Sequence, residues 1–179
     1  MAKLRLRTRL CDLLGIEYPI LSAGMGPTLL GERTGAPVEL VVAVSEAGGL
    51  GVLGGSGFTV DELRAAIREI KAQTDKPFGV DLLLPKNIDL GGAMGQKGPD
   101  EVPLSEVLKL IPDPHRKWVE KVKKEMGLMD AEIIMRTTTT TMRPKESVQV
   151  CIEEKVPLFC AGLGNPGFMV EEAHANGMK

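Results

Sequence analysis

Aromatic side chains make up only 3% of the 179 residues, with one Trp and one Tyr, which leaves no stacking platform for single-stranded nucleic acid. Neither sign of charge dominates. The 22 Lys and Arg against 24 Asp and Glu give a net charge of −2, which argues against a nucleic-acid partner and against a basic membrane-surface module. Cysteine is sparse too: Cys11, Cys151 and Cys160 are odd in number and lack C-x-x-C spacing, so they form neither a disulfide framework nor a zinc site. They read as small core residues of a reduced, soluble, cytoplasmic protein. No long apolar run exists. The aliphatic stretch Leu40 to Val44 is far short of a membrane span, and no signal-type core follows the basic Lys3, Arg5, Arg7 and Arg9. The two histidines, His115 and His174, lie beside no cysteine or second histidine and are expected to face solvent. No metal-ligand cluster, Ser/His/Asp arrangement or phosphate-binding P-loop is present, and no general base is identifiable.

What is present is 43% hydrophobic residues, enough for a core, together with 21 Gly and 12 Pro that imply many tight turns. The length fits one domain over residues 1–179, by the prior of ~100–200 residues per domain. Strand-like and helix-like segments alternate. Tyr18 to Ser22 predicts a strand running into the loop Ala23-Gly24-Met25-Gly26. Val38 to Ala47 predicts a helix stopped by Gly48-Gly49, and Leu50 to Leu53 the next strand. Thr59 with Glu62 three residues on is a capping box, opening a helix whose Leu63, Ala66, Ile67 and Ile70 recur at helical spacing. Phe78 to Leu84 is a nearly all-apolar third strand. Residues 85–113 are rich in Gly, Pro and charge and read as an insertion or lid. Pro114 to Met126 predicts an amphipathic helix with Trp118, Val122 and Met126 on one face, and Thr137 to Thr141 a solvated loop or edge. Glu146 to Glu154 is helical in pattern, Val156 to Ala161 is a fourth strand, and Gly167 to Asn176 is a last helix.

Apolar strands separated by helices predict an α/β fold of about four parallel β/α units, covered on both faces, with the site at the carboxyl ends of the strands. Four units are half of a TIM-barrel-type (β/α)8 fold, so the barrel would be incomplete in this chain. An open doubly wound sheet fits the same pattern.

Gly49-Leu50-Gly51-Val52-Leu53-Gly54 satisfies G-x-G-x-x-G, but its first glycine ends a helix and the pattern runs through the strand, so the dinucleotide reading fails on context. Gly54-Gly55-Ser56-Gly57 follows a strand and offers either an anion nest or a plain βα loop. Ala23 to Gly26 is either a tight turn or a place where a flat ligand approaches the backbone, with Met25 giving a polarizable surface. Asp81 interrupts an otherwise apolar strand, where a carboxylate needs a partner or a ligand.

Several of these segments, in order, resemble the nitronate monooxygenase (2-nitropropane dioxygenase) family. They are Arg7 to Ile20 with Ala23 to Gly26, Val44 to Gly54, Thr74 to Leu82, Ala161 to Pro166 and Ala173 to Lys179, leaving about 85–144 unmatched. The resemblance implies an FMN-dependent flavoprotein oxidoreductase with a (β/α)8 barrel, oxidising a small alkyl nitronate with O2. It implies that Ala23, Gly24, Met25 and Gly26 lie against the flavin ring and that Gly162, Gly164 and Asn165 sit at the substrate mouth. Asp81 takes the position where many members carry an Asn contacting the flavin; Asn both donates and accepts, whereas an ionised Asp only accepts. The family's catalytic His, in a Gly-Gly-His-type motif, and its phosphate-binding loops are expected beyond Lys179. The resemblance thus implies an N-terminal half that binds FMN weakly by itself. Two alternatives are an FMN-dependent enoyl reductase-like barrel and a non-catalytic half-barrel that associates with itself or a partner through an open sheet edge.

Overall fold

The structure, a computed structural model, describes residues 6–26, 36–84, 101–103, 105, 109, 111–129, 138–140 and 143–179. In chain order its elements are α1 (Arg9–Leu14), α2 (Val38–Glu46), β1 (Gly51–Gly54), α3 (Val60–Gln73), β2 (Phe78–Leu83), β3 (Glu101–Pro103), α4 (Asp113–Glu125), β4 (Thr138–Thr140), α5 (Pro144–Glu153), β5 (Leu158–Gly162), a 3-10 turn (Pro166–Phe168) and α6 (Val170–Ala175).

Strands β1, β2 and β5 form a parallel sheet in that order, with Val52 opposite Gly79 and Asp81 opposite Cys160. The predicted strand at Tyr18 to Ser22 is reduced to a single parallel bridge, Leu21 to Leu50, on the outer side of β1. The cause is local. Ile20 O accepts from Leu50 N–H and Leu50 O from Ser22 N–H, but the next donor, Val52 N–H, goes 2.9 Å to the Ser22 hydroxyl. A side chain thereby takes the next rung and the ladder stops. At the other edge, Lys179 N–H donates to Pro157 O and Lys179 O accepts from Phe159 N–H, which is again a parallel-bridge pattern. Neighbours thus follow chain order without the reversal that marks a doubly wound sheet, which is the strand order of a TIM-barrel-type fold.

Alternation along the strands separates two faces. Leu53, Phe78, Val80 and Leu82 join Val41 of α2, Leu63, Ile67 and Ile70 of α3, and Val148, Cys151 and Ile152 of α5 in the main core. Helix α3 forms where expected, with both halves of the Thr59/Glu62 capping box made. The opposite face carries Leu50 and Val52, which pack on Cys11 and Leu14 of α1 and on Ile16, with Leu158 and Cys160 against them. Helix α1 therefore covers the amino-terminal end of this face.

Most of 85–113 lies outside the described residues. Within it, Glu101–Pro103 pairs antiparallel with Thr138–Thr140, so the centre of the threonine run forms half of a two-stranded ladder; Thr137 and Thr141 are outside the described residues. Helix α4 is amphipathic as expected, yet none of its side chains is buried and Trp118 is 65% exposed. Among the described residues no helix is long and apolar enough to cross a membrane.

Candidate functional site

The segment Ala23 to Gly26 meets the carboxyl end of β1 at Gly54 and the side chain of Asp81 on β2. The register aligns Gly54, Asp81 and Cys160 across the three strands. A β-carbon on Gly26 would stand 2.7 Å from Gly54 O, and one on Gly24 would stand 2.6 Å from the Asp81 β-carbon and 3.1 Å from Oδ2. These glycines are small because the segment lies directly on the strand ends. Met25 between them is 48% exposed.

Asp81 is half-buried, and among the described residues its carboxylate has no hydrogen-bond or ion-pair partner. Its backbone carbonyl, by contrast, accepts from Gly55 N–H at 2.9 Å. Burial raises the carboxyl pKa above its ordinary value. Cys160 beside it is pushed up as well, first by burial and then by the Asp81 charge. Cys11 and Cys151 are fully buried, and burial takes the Cys151 thiol to about 12. His115 and His174 are exposed.

The remaining candidates form the loop after β5. A β-carbon on Gly162 would approach Leu83 Cδ2 at 2.8 Å and Asp81 Oδ1 at 3.9 Å, so this glycine borders the same carboxylate. Gly164 presses on the Leu84 carbonyl. Asn165 Oδ1 accepts from Gly167 N–H at 2.8 Å and opens the 3-10 turn, which puts that oxygen to structural use. Between the two glycines Leu163 takes φ 57° and is 71% exposed, a left-handed non-glycine residue that costs roughly 1 kcal/mol at the rim of the site.

The two glycine patterns resolve on packing. Gly49 lies 2.9 Å, measured from an ideal β-carbon, from Ile20 O; Gly51 meets the Val41 backbone; and Gly54 meets Gly26. Each glycine of G-x-G-x-x-G thus accommodates another part of the chain rather than a pyrophosphate. In Gly54 to Gly57 the Gly55 N–H is already taken by Asp81 O, which removes one donor from an anion nest.

Three serines escaped sequence reasoning. Ser22 ends the first ladder. Ser56 Oγ accepts from Leu83 N–H at 2.6 Å and closes the end of β2. Ser45, 2% exposed, donates to Pro77 O at 2.9 Å and accepts from Gly51 N–H at 3.0 Å, tying α2 to the starts of β1 and β2. Ser22 and Ser56 lie within two residues of a strand end, which was the available signal for them; Ser45 lies inside α2 and carried none.

Chain-ordered parallel β/α units, with a loop at the strand carboxyl ends and a carboxylate there that has no partner among the described residues, define an α/β protein of the TIM-barrel type, in which ligands bind at that end. The nitronate monooxygenase family profile matches residues 7–101, and the chain belongs to this family. Over 79 residues it is 49% identical to a Mycobacterium tuberculosis protein described as (3aS,4S,5R,7aS)-5-hydroxy-7a-methyl-1-oxo-octahydro-1H-indene-4-carboxyl-CoA dehydrogenase, covering 44% of this chain and 20% of that one. A Staphylococcus saprophyticus protein described as "Probable nitronate monooxygenase" is 29% identical over 163 residues, 91% of this chain and 38% of that one. The structure of FabK from Thermotoga maritima superposes with a TM-score of 0.58 at 33% identity, covering 97% of this chain and 36% of that one. The chain spans well under half the length of these relatives.

Proposed function

We propose that the chain supplies the ring-binding part of an FMN-dependent oxidoreductase site of the nitronate monooxygenase type, acting on a small alkyl nitronate with O2. The observation that carries this reading is the half-buried Asp81 carboxylate under Gly24 towards the carboxyl end of the parallel sheet, which has no partner among the described residues. An isoalloxazine ring suits these residues. It has a flat apolar face for the Met25 thioether and the glycine backbone, and an edge N–H for which Asp81 is an acceptor.

The flavin, when bound, supplies the electron acceptor and the reaction with oxygen. This chain's residues bind and orient. Gly24 and Gly26 let the loop lie low on the strand ends, Asp81 accepts at the ring edge, and the Gly162 to Asn165 loop borders the space in front of it. The catalytic base expected from the family resemblance lies outside these residues.

The test is a titration of FMN with the purified chain, followed by flavin absorbance, and then nitronate-dependent oxygen uptake. A perturbed flavin spectrum is expected, with little turnover; a flavin spectrum that the chain leaves unchanged overturns the reading. One observation favours a second substrate class. The 49% identity over 79 residues to a carboxyl-CoA dehydrogenase supports a CoA thioester in place of a nitronate. Flavin reduction by a CoA thioester under anaerobic conditions, without reduction by nitronate, would select it.

A further inference from the structure

Helix α4 carries an apolar stripe that the described fold leaves largely uncovered. Trp118, Val122 and Met126 recur every four residues and so lie on one side of the helix, with Val119 beside them. None of the helix's side chains is buried. Trp118 is 65% and Met126 66% exposed, and the stripe runs on into exposed Leu128 and Met129. The helix also lies outside residues 7–101, the stretch that the family profile matches. Its charge is segregated as well. Five cations stand against three carboxylates, an excess that the chain-wide net charge of −2 averages away. Lys117, Lys121 and Lys124, at i, i+4 and i+7, form a row along one side of the stripe, and Arg116 and Lys123 lie along the other. Arg116 pairs with Asp113 and Lys121 with Glu125, whereas Lys117 and Lys124 have no carboxylate partner among the described residues.

We propose that α4 docks in the plane of an anionic lipid surface, with its apolar stripe at the boundary of headgroups and acyl chains and its lysines at the lipid phosphates. The inference is independent of the flavin reading. The stripe is a convex ridge, so its partner must yield to it, as a lipid interface does. Cations flank the ridge on both sides, the arrangement in which Lys and Arg stems cover apolar surface while their charged heads reach the headgroups. Trp118 supplies the amphipathic ring that such interfaces favour. A second copy of α4 would bring two cationic faces together, which like-charge repulsion opposes. With one helical face and four apolar side chains, the helix lies on the surface without crossing it, and binding is reversible and sensitive to salt.

The experiment sediments the full chain with vesicles of phosphatidylcholine alone and with vesicles that also contain phosphatidylglycerol, and follows the emission of Trp118, the only Trp in the sequence. Partition onto the anionic vesicles is expected to exceed that onto the neutral ones about tenfold or more, with Trp118 emission shifted to the blue, and 1 M salt is expected to reverse both. Lys117→Gln/Lys124→Gln is expected to lose about tenfold in partition, and Met126→Glu to lose binding, while both keep the circular dichroism of the wild type. Equal partition onto neutral vesicles, an unshifted emission, or wild-type binding by either variant overturns the inference. A blue shift that grows with protein concentration in the absence of vesicles also overturns it and assigns the stripe to a second copy. A shift produced by polyglutamate and not by vesicles overturns it in favour of an acidic protein.

Discussion

A β-carbon on Gly24 would stand 2.6 Å from the β-carbon of Asp81, a contact that no two real side chains make without displacement. Since the neighbour is the root of a strand side chain rather than a flexible tip, the loop must lift. Gly24→Ala is therefore expected to cost about 1–3 kcal/mol, the range for overpacking. It is also expected to weaken flavin binding more than its stability loss explains. Urea denaturation and flavin titration of the same variant check the two effects; wild-type values in both would show that the loop is not held down on Asp81.

Asp81 itself is expected to destabilise the fold when ionised. Its folded pKa lies above its unfolded one, so the penalty is fully present above the folded pKa and is relieved as pH falls below the unfolded one. Asp81→Asn should raise stability at pH 7 by no more than about 1 kcal/mol, given the partial exposure, and by nothing measurable near pH 3. Thermal midpoints of the two proteins across that range provide the check. A larger gain at acid pH than at neutral pH would contradict the sign.

Ser45 is a different case, because its partners are backbone groups. Ser45→Ala removes an acceptor from Gly51 N–H and a donor to Pro77 O, both at the buried start of the sheet. Leaving such groups unsatisfied costs about 2–3 kcal/mol. Ser45→Cys, which keeps volume and weak polarity, should recover part of it. Denaturant midpoints that place alanine and cysteine together would assign the effect to packing instead.

The features legible in the sequence are those set by near neighbours. The Thr59/Glu62 capping box, the helix stop at Gly48, and the rejection of the G-x-G-x-x-G pattern each depend on residues a few positions apart. Asp81 was legible because a carboxylate in an apolar strand breaks the pattern. Cys160 was not, because its place beside Asp81 is set by the register of strands 79 residues apart in sequence, and its type alone reads as core. Ser22 was illegible for a related reason: whether a hydroxyl ends a ladder depends on the Val52 N–H, thirty residues away. The Thr138–Thr140 ladder likewise depends on Glu101–Pro103.

Glu154 at the carboxyl end of α5 joins that helix to α3 through three cations. Its Oε1 lies 2.9 Å from Arg64 Nη1 and 2.8 Å from Arg68 Nη2, with Lys71 Nζ at 4.0 Å from Oε2, while Glu153 takes the second Arg64 nitrogen. Burial opposes the Glu154 charge, but Arg68 and Arg64 outweigh it and hold the carboxyl below its ordinary value. A carboxylate with a lowered folded pKa contributes stability that is present above the unfolded value, about 4.3, and lost as pH falls through the folded one. Glu154→Gln is therefore expected to destabilise the protein at pH 7, by an amount that shrinks at pH 3 as the carboxyl takes up its proton. Because the Arg68 and Lys71 ends of the network are exposed, part of the difference at pH 7 should shrink in 1 M salt. Denaturation of both proteins at the two pH values, with and without salt, measures each part. A difference that persists unchanged at pH 3 would mean that Glu154 acts through packing rather than charge.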